Sequence, residues 1–400
     1  MKLLSIETSC DETSFALINV DDTEVTIHAH NILSQVDVHQ EYGGVFPSLA
    51  KREHARNAVP LLAKTLAEAN LRAGETPRIL QDVHEQITKL LEREEGLADE
   101  LLAFLAKNPR PDIDAIAVTH GPGLEPTLWV GINLAKALSA VWQTPVIPVN
   151  HMEGHLASLL VDDPEQRATQ KLLSFPFPAI ALLVSGGHTE LVLIKDWGEY
   201  TIIGRTVDDA VGEAFDKVAR LLGLSYPGGP EVARLAAQAR TETTESPFSL
   251  PRPMLNSGDL NFSFSGIKTA VRNGIENQRK KTSDGLLSDA HKQGIAREFE
   301  DAVVETLVTK AERACSEYGA LSFLLAGGVA ANRHLVSSLQ VNNELPPVSV
   351  APLLLTGDNA LMIAVAGWLR ANYDPSLILT NPSPIQAIGN LSLEERRITK

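Results

Sequence analysis

The segment Asn150-His151-Met152-Glu153-Gly154-His155 sets two imidazoles four residues apart. On a helix such residues share a face, and neutral imidazole is the commonest protein metal ligand, so the pair can fill two coordination positions of one ion. The same spacing also fits one capping and one surface histidine. Zinc peptidases carry His-Glu-x-x-His, where the acid is general base to a metal-bound water; here the acid stands one place later. At about 100° per residue, Glu153 points about 180° from the mean direction of the two imidazoles, against about 80° for the peptidase position. A helix through this stretch therefore leaves a peptidase without its base. Asp358, in Leu355-Thr356-Gly357-Asp358-Asn359-Ala360, heads a helical run to Arg370 and is the best candidate for a third ligand; it also fits an N-cap.

The elements that must position these groups read as α/β. An apolar run, Thr144 to Val149, leads into His151. Leu3 to Ile6 and Phe15 to Val20 are short strands joined by Glu7-Thr8-Ser9-Cys10-Asp11-Glu12-Thr13, a turn that can offer amides and hydroxyls to a phosphate, with Asp11 or Glu12 holding a metal or its water. The design recurs in Ala179 to Val184, the turn Ser185-Gly186-Gly187-His188-Thr189, and Glu190 to Ile194. Two such units predict an internal duplication with a cleft between the halves. Neither is a P-loop or a dinucleotide fingerprint. A third glycine turn, Ala326-Gly327-Gly328-Val329-Ala330-Ala331-Asn332-Arg333, follows the strand Leu321 to Leu325 and leads into a helix whose N-terminus favours anions. Asn332 suits reading a base or ribose, and equally a helix cap.

Elsewhere, Asp114 to Thr119 is a strand before His120-Gly121-Pro122-Gly123 and a helix through Leu138; a helix starts within Asp208 to Lys217; and Tyr226-Pro227-Gly228-Gly229-Pro230 is a loop suited to closing on a ligand. Val59 to Leu71 reads as an amphipathic helix with Pro60 in its first turn. From Glu75 to Pro111, one stripe of Ile79, Val83, Ile87, Leu90 and Leu91 and another of Leu97, Leu101, Leu102 and Leu105 predict a helical hairpin. His39 and His54 flank a glycine turn and have no role that their spacing reveals.

The 400 residues, 44% apolar and 21% charged, fit a globular chain of two or three domains. The chain has no run long enough to span a membrane and opens directly into a strand, which predicts a cytoplasmic protein. Cys10 and Cys315, its two cysteines, are too few for a disulfide framework or a cysteine metal site. The net charge of −15 argues against a surface that coats nucleic acid, leaving Lys51, Arg52 and Arg56, and Arg279, Lys280 and Lys281, as local basic candidates.

Taken together, Ile-Glu-Thr-Ser-Cys-Asp-Glu-Thr, His-Met-Glu-Gly-His, Leu-Val-Ser-Gly-Gly-His-Thr, Gly-Glu-Ala-Phe-Asp-Lys, Tyr-Pro-Gly-Gly-Pro, Phe-Ser-Phe-Ser-Gly and Ala-Gly-Gly-Val-x-Ala-Asn-Arg resemble the TsaD family of tRNA threonylcarbamoyladenosine transferases, over Leu3 to about Arg370. The resemblance implies the actin-like ATPase fold, two ribonuclease-H-like halves around a central cleft: a first half over 1–150 with the helical insertion at about 75–111, a second over 151–370 with the glycine-rich nucleotide loops, and a tail over 371–400. It implies transfer of threonylcarbamoyl from threonylcarbamoyl-AMP to the exocyclic amine of the adenosine beside the tRNA anticodon, releasing AMP. It further implies one divalent metal ion, iron(II) ahead of zinc, on His151, His155 and Asp358, with magnesium as a companion of the nucleotide. Substrate-binding positions carry over to Leu183, Val184, Ser185, Gly186, Gly187, Asp216, Gly229 and Asn332. Asp11 and Glu12 are the candidates for handling the attacking amine's proton. TsaB- and TsaE-type proteins are the implied partners.

Two features depart from the family pattern. Phe46-Pro47-Ser48-Leu49-Ala50-Lys51-Arg52 stands where many members have Val-Pro-Glu-x-Ala-Ser-Arg, and the hairpin from Glu75 is longer than the usual link. The first half is where members meet TsaB, so an altered choice of partner is the expectation. A metallopeptidase and a catalytically silent nucleotide-binding scaffold are the alternatives. The misplaced glutamate opposes the first, and a complete set of metal ligands, for which a scaffold has no need, opposes the second.

Overall fold

The computed structural model describes residues 1–71, 76–281, 285–395 and 398–399, and the chain forms two compact units, Met1–Ser174 with Gly357–Lys400, and Phe175–Thr356. The sequence suggested a break at residue 150 and a tail from 371. The units divide elsewhere because the helix that follows Asp358 is apolar on nearly every side and is buried in the first unit.

In the first unit β1 (Lys2–Glu7) and β2 (Glu12–Val20) make the first expected hairpin, with Ile6 opposite Phe15, and β3 (Glu24–Ser34) adds to it antiparallel. A short α1 (Val36–Gln40) precedes α2 (Pro47–Ala69). This helix starts well before the expected Val59: Pro47 takes the first turn and Pro60 lies inside. The face buried by Ala50, His54, Ala58 and Leu62 runs in phase through Pro60, and its packing outweighs the one backbone bond that proline lacks. The insertion forms α3 (Gln81–Leu90) and α4 (Leu97–Leu105), with Ile87, Leu91, Leu97, Leu101 and Leu105 in the unit's core as the stripes predict; its expected start at Glu75 lies outside the described residues. Then follow β4 (Ala115–Gly121), α5 (Glu125–Trp142), β5 (Val146–Asn150), α6 (His151–Ala157) and β6 (Thr169–Lys171). The sheet order is β5-β4-β1-β2-β3-β6. Strands β4 and β5 run parallel to β1 and are buried throughout, hence their apolar runs Ala115 to Val118 and Val146 to Val149.

The second unit repeats this plan. A hairpin of β7 (Ala179–Val184) and β8 (Thr189–Asp196) is extended by β9 (Glu199–Arg205). Helices α7 (Val211–Leu222), α8 (Gly228–Thr241), α9 (Ser265–Arg279) and α10 (Asp289–Tyr318) follow, then β10 (Ser322–Ala326), α11 (Arg333–Gln340) and β11 (Val348–Val350). Its sheet, β11-β10-β7-β8-β9, matches the first from β5 to β3 in order and sense. That is the duplication the two hairpins predicted. The core is aromatic where α7 meets α10, with Phe215 and Phe299 edge to face at 4.9 Å.

The chain returns to the first unit at α12 (Ala360–Tyr373), which packs on α6, β1, β2 and β5. Beyond it the segment expected as a tail is held to the same unit: Leu379 and Val146 exchange backbone bonds at 2.9 and 3.0 Å, and Ile388 N–H donates to the His120 carbonyl at 2.9 Å. Arg396, Arg397 and Lys400 lie outside the described residues.

Candidate metal centre and nucleotide cavity

Strand β5 passes into α6 without a loop. Asn150 caps the helix, its side-chain oxygen accepting from Met152 N–H at 2.9 Å and Glu153 N–H at 3.4 Å. His151 and His155 thus share one face of α6, as their spacing predicts. Gly154 lets α12 approach: a Cβ there would lie 2.8 Å from Ile363 Cδ1 and 3.1 Å from Met362 Cγ. Asp358 precedes α12 without capping it, since Asn359 accepts from Met362 N–H. The Asp358 carboxylate is left for the histidines. Its Oδ1 lies 3.2 Å from His151 Nε2 and 3.3 Å from His155 Nε2, and the three donor groups fall within 4.8 Å of one another.

The donor set suits a divalent ion. Glu7 Oε2 sits 3.1 Å from His151 Nδ1, and Ser9 Oγ 3.2 Å from the same nitrogen. A proton on Nδ1 facing that carboxylate leaves the Nε2 lone pair on the Asp358 side, the arrangement by which outer carboxylates set the tautomer of a ligating histidine. Glu7 is itself fixed, accepting from Thr119 Oγ1 at 2.6 Å and Ser9 N–H at 2.5 Å. Burial works against a charged His151, but the Asp358 and Glu7 carboxylates override it and raise its pKa; burial keeps His155 low. Glu153 points away, to Arg370 Nη1 at 2.8 Å and Tyr373 Oη at 2.7 Å. The glutamate of the His-Met-Glu-Gly-His segment is therefore no base for this centre.

The turn before β2 brings Asp11 and Glu12 into the same electrostatic neighbourhood. Burial raises both carboxyls above their usual range, and the Asp358 charge adds to this in each. His54 holds the turn from α2: its Nε2 meets the Cys10 carbonyl at 2.9 Å and its Nδ1 meets Thr13 Oγ1 at 2.8 Å. Cys10 is a partly exposed free thiol.

In the second unit a cavity of about 300 Å³ is lined by Gly186, Asp216, Gly229 and Asn332, with Gly212, Phe215, Pro227, Gly328 and Val329 among their neighbours. The Ser185-Gly186 turn presses on the start of α7, where a Cβ on Gly212 would lie 2.6 Å from the Ser185 carbonyl oxygen. Gly327, at φ +95°, passes so close to Val184 that a Cβ would meet its carbonyl oxygen at 2.4 Å. Asp216 accepts from Gly228 N–H at 2.7 Å at the head of α8. Leu183 and Val184 are fully buried in β7, Ser185 is half-buried and Gly187 exposed at the turn. Asn332 both caps α11, through Leu335 N–H, and lines the cavity.

The family model described as "TsaD: tRNA N6-adenosine threonylcarbamoyltransferase" matches residues 26–80 and 87–365. The chain belongs to the TsaD family. A curated TsaD from Burkholderia mallei, named tRNA N6-adenosine threonylcarbamoyltransferase, is 44% identical over 379 residues, 94% of this chain and 94% of the relative. One of the same name from Paraburkholderia xenovorans is 44% identical over 378 residues, with the same coverage. Among solved structures, full-length HypF in the phosphate- and nucleotide-bound form aligns with a TM-score of 0.50 at 14% identity, over 93% of this chain and 46% of that one; the likeness is one of fold, the actin-like ATPase fold. As a TsaD, the chain is a transferase of tRNA modification, a family that implies a metal ion, and among the described residues no helix is long and apolar enough to cross a membrane.

Sequence reasoning missed Glu7 and His54, and also Glu300, whose Oε1 accepts from Nδ2 of the cavity residue Asn332 at 2.7 Å. Glu7 stood in view as the first residue of the turn after an apolar strand, but its partner is 144 residues away. Glu300 is an acid within the buried face of α10, beside Phe299, a position that itself asks for a polar partner.

Proposed function

We propose that the chain transfers threonylcarbamoyl from threonylcarbamoyl-AMP to the exocyclic amine of the adenosine beside the tRNA anticodon, with AMP as leaving group, in the cytoplasm and with TsaB- and TsaE-type partners. The observation that carries this reading is the set His151, His155 and Asp358, with Glu7 fixing the outer nitrogen of His151, inside the family-matched span. Two imidazoles and one carboxylate suit iron(II), with zinc as the alternative, and leave coordination positions open. When bound, the ion supplies Lewis-acid stabilisation for charge developing on the substrate's oxygens.

The chain's own residues do the rest. Gly186, Asp216, Gly229 and Asn332 bind the adenylate half of the donor, the glycines allowing close backbone approach. The adenosine amine attacks the carbamoyl carbon, a C–N bond forms, and the bond from that carbon to the phosphate oxygen breaks with its electrons leaving on AMP. Glu12 or Asp11 accepts the amine proton. Their raised carboxyls favour that role, because a base works best when its pKa approaches the working pH. Exposed Arg52 and Arg56, on α2, are the candidates for backbone phosphates; Lys51 is engaged with Glu94.

The test is incorporation of labelled threonylcarbamoyl into unmodified tRNA by the purified chain, with and without purified partners, beside His151→Ala. Metal content and transfer should fall together in the variant. Full transfer by a metal-free His151→Ala protein would remove the metal from this mechanism.

A further inference from the structure

We infer that Glu300 is a positioning residue for nucleotide recognition, holding the Asn332 carboxamide in one orientation in the wall of the cavity; the inference rests on the reading of that cavity as the adenylate site. Glu300 is 1% exposed, on α10. Its Oε1 accepts from Asn332 Nδ2 at 2.7 Å and its Oε2 from Arg240 Nη1 at 2.5 Å. Arg240, on α8, also pairs with Asp301, which in turn meets His334 Nε2 at 3.0 Å.

An asparagine side chain can present its oxygen and nitrogen in either sense, and here both senses are fixed by partners that cannot exchange roles. A carboxylate only accepts, so Glu300 demands the NH2; a backbone amide only donates, so Leu335 N–H, at 2.9 Å from Asn332 Oδ1, demands the oxygen. One Nδ2–H is left over. A nucleoside at this wall is therefore offered a donor, which selects a ligand with an acceptor there, a purine ring nitrogen or a ribose oxygen. Arg240 pairs with Glu300 Oε2 and so fixes the direction of its other oxygen, and hydrogen bonds to such charged groups are the strong ones. Glu300→Gln removes the charge and can present an NH2 to Asn332, so the Asn332 orientation is no longer unique.

The experiment measures AMP binding to the purified full-length chain, and KM for threonylcarbamoyl-AMP in the transfer assay, for the parent, Glu300→Gln, Asn332→Ala and the double variant. The expected result is an AMP Kd raised about tenfold in Glu300→Gln, which corresponds to about 1.4 kcal/mol. KM should rise in parallel with kcat held within about twofold. The double variant should match Asn332→Ala within about twofold, because residues acting through one another are not additive. Parental AMP affinity in Glu300→Gln, a fall in kcat alone, or fully additive losses would each overturn the inference. Should Glu300→Gln not fold, Asn332→Ser keeps a capping oxygen and removes the NH2, and the same tenfold loss is expected; parental affinity there overturns the inference equally. A parent chain that binds no AMP retires the adenylate reading of the cavity and this inference with it, whereas a parent that binds and variants that bind equally retire the positioning role alone.

Discussion

Glu7, beside α6, and Glu153, on it, are both buried acids, and they do opposite things. Glu7 faces the outer nitrogen of His151, while Glu153 faces Arg370 and Tyr373. Glu7→Gln should therefore keep the fold but weaken metal binding by about 10–100-fold, the usual effect of losing an outer-shell partner, read by chelator competition; parental affinity would show that Glu7 does not orient the ligand. Glu153→Ala should do the reverse. It strips the ion-pair partner from an arginine that is 2% exposed, costing about 3–5 kcal/mol in denaturant unfolding, with metal affinity of the folded protein unchanged. The direction of Glu153 was legible in the sequence, because helical periodicity is a local property. The role of Glu7 was not, because it exists only once β1 is brought against α6.

The same divide separates elements that the sequence shows from those it conceals. The insertion's two helices and their buried stripes were readable because each carries its own periodicity. The start of α2 was not. Pro47 and Pro60 both suit a first turn, and tertiary burial of the face before Pro60 decides between them. Near that start, Lys51 reaches the link between α3 and α4. Its Nζ donates to the Arg93 carbonyl at 2.9 Å and pairs with Glu94 at 3.2 Å, whose side chain is 2% exposed. We read Lys51 as the clasp that fastens the insertion to α2. Lys51→Met should leave the Glu94 carboxylate buried without its cation, at a cost of about 1–3 kcal/mol, and hydrogen exchange should speed up over residues 81–105 ahead of the rest of the first unit. Unchanged protection there would mean that the apolar stripes alone hold the hairpin.

At the scale of the whole chain, the two units share one strand plan but not one chemistry: the metal ligands gather in the first and the cavity in the second. The first unit also holds histidines outside α6, and three of them give it a pH dependence of definite sign. Burial lowers His30 and His54 to about 4 and His120 to about 3. The unfolded chain takes up a proton on each near pH 6.5, whereas the native state refuses it until well below, so each loses stability as pH falls through that window, at about 1.4 kcal/mol per pH unit. The raised Asp11 and Glu12 carboxyls act oppositely, since the native state accepts their protons first. A single variant separates the terms. His120 is fully buried, and His120→Leu removes its proton linkage while leaving the others in place. Whatever the variant's stability relative to the parent at pH 7, it should improve by about 2 kcal/mol at pH 5, because the parent alone is then penalised for a histidine that the unfolded chain protonates and the folded chain does not. Urea unfolding at the two pH values reads this directly. An identical difference at pH 7 and pH 5 would mean that His120 titrates alike in both states and that its burial does not exclude the proton.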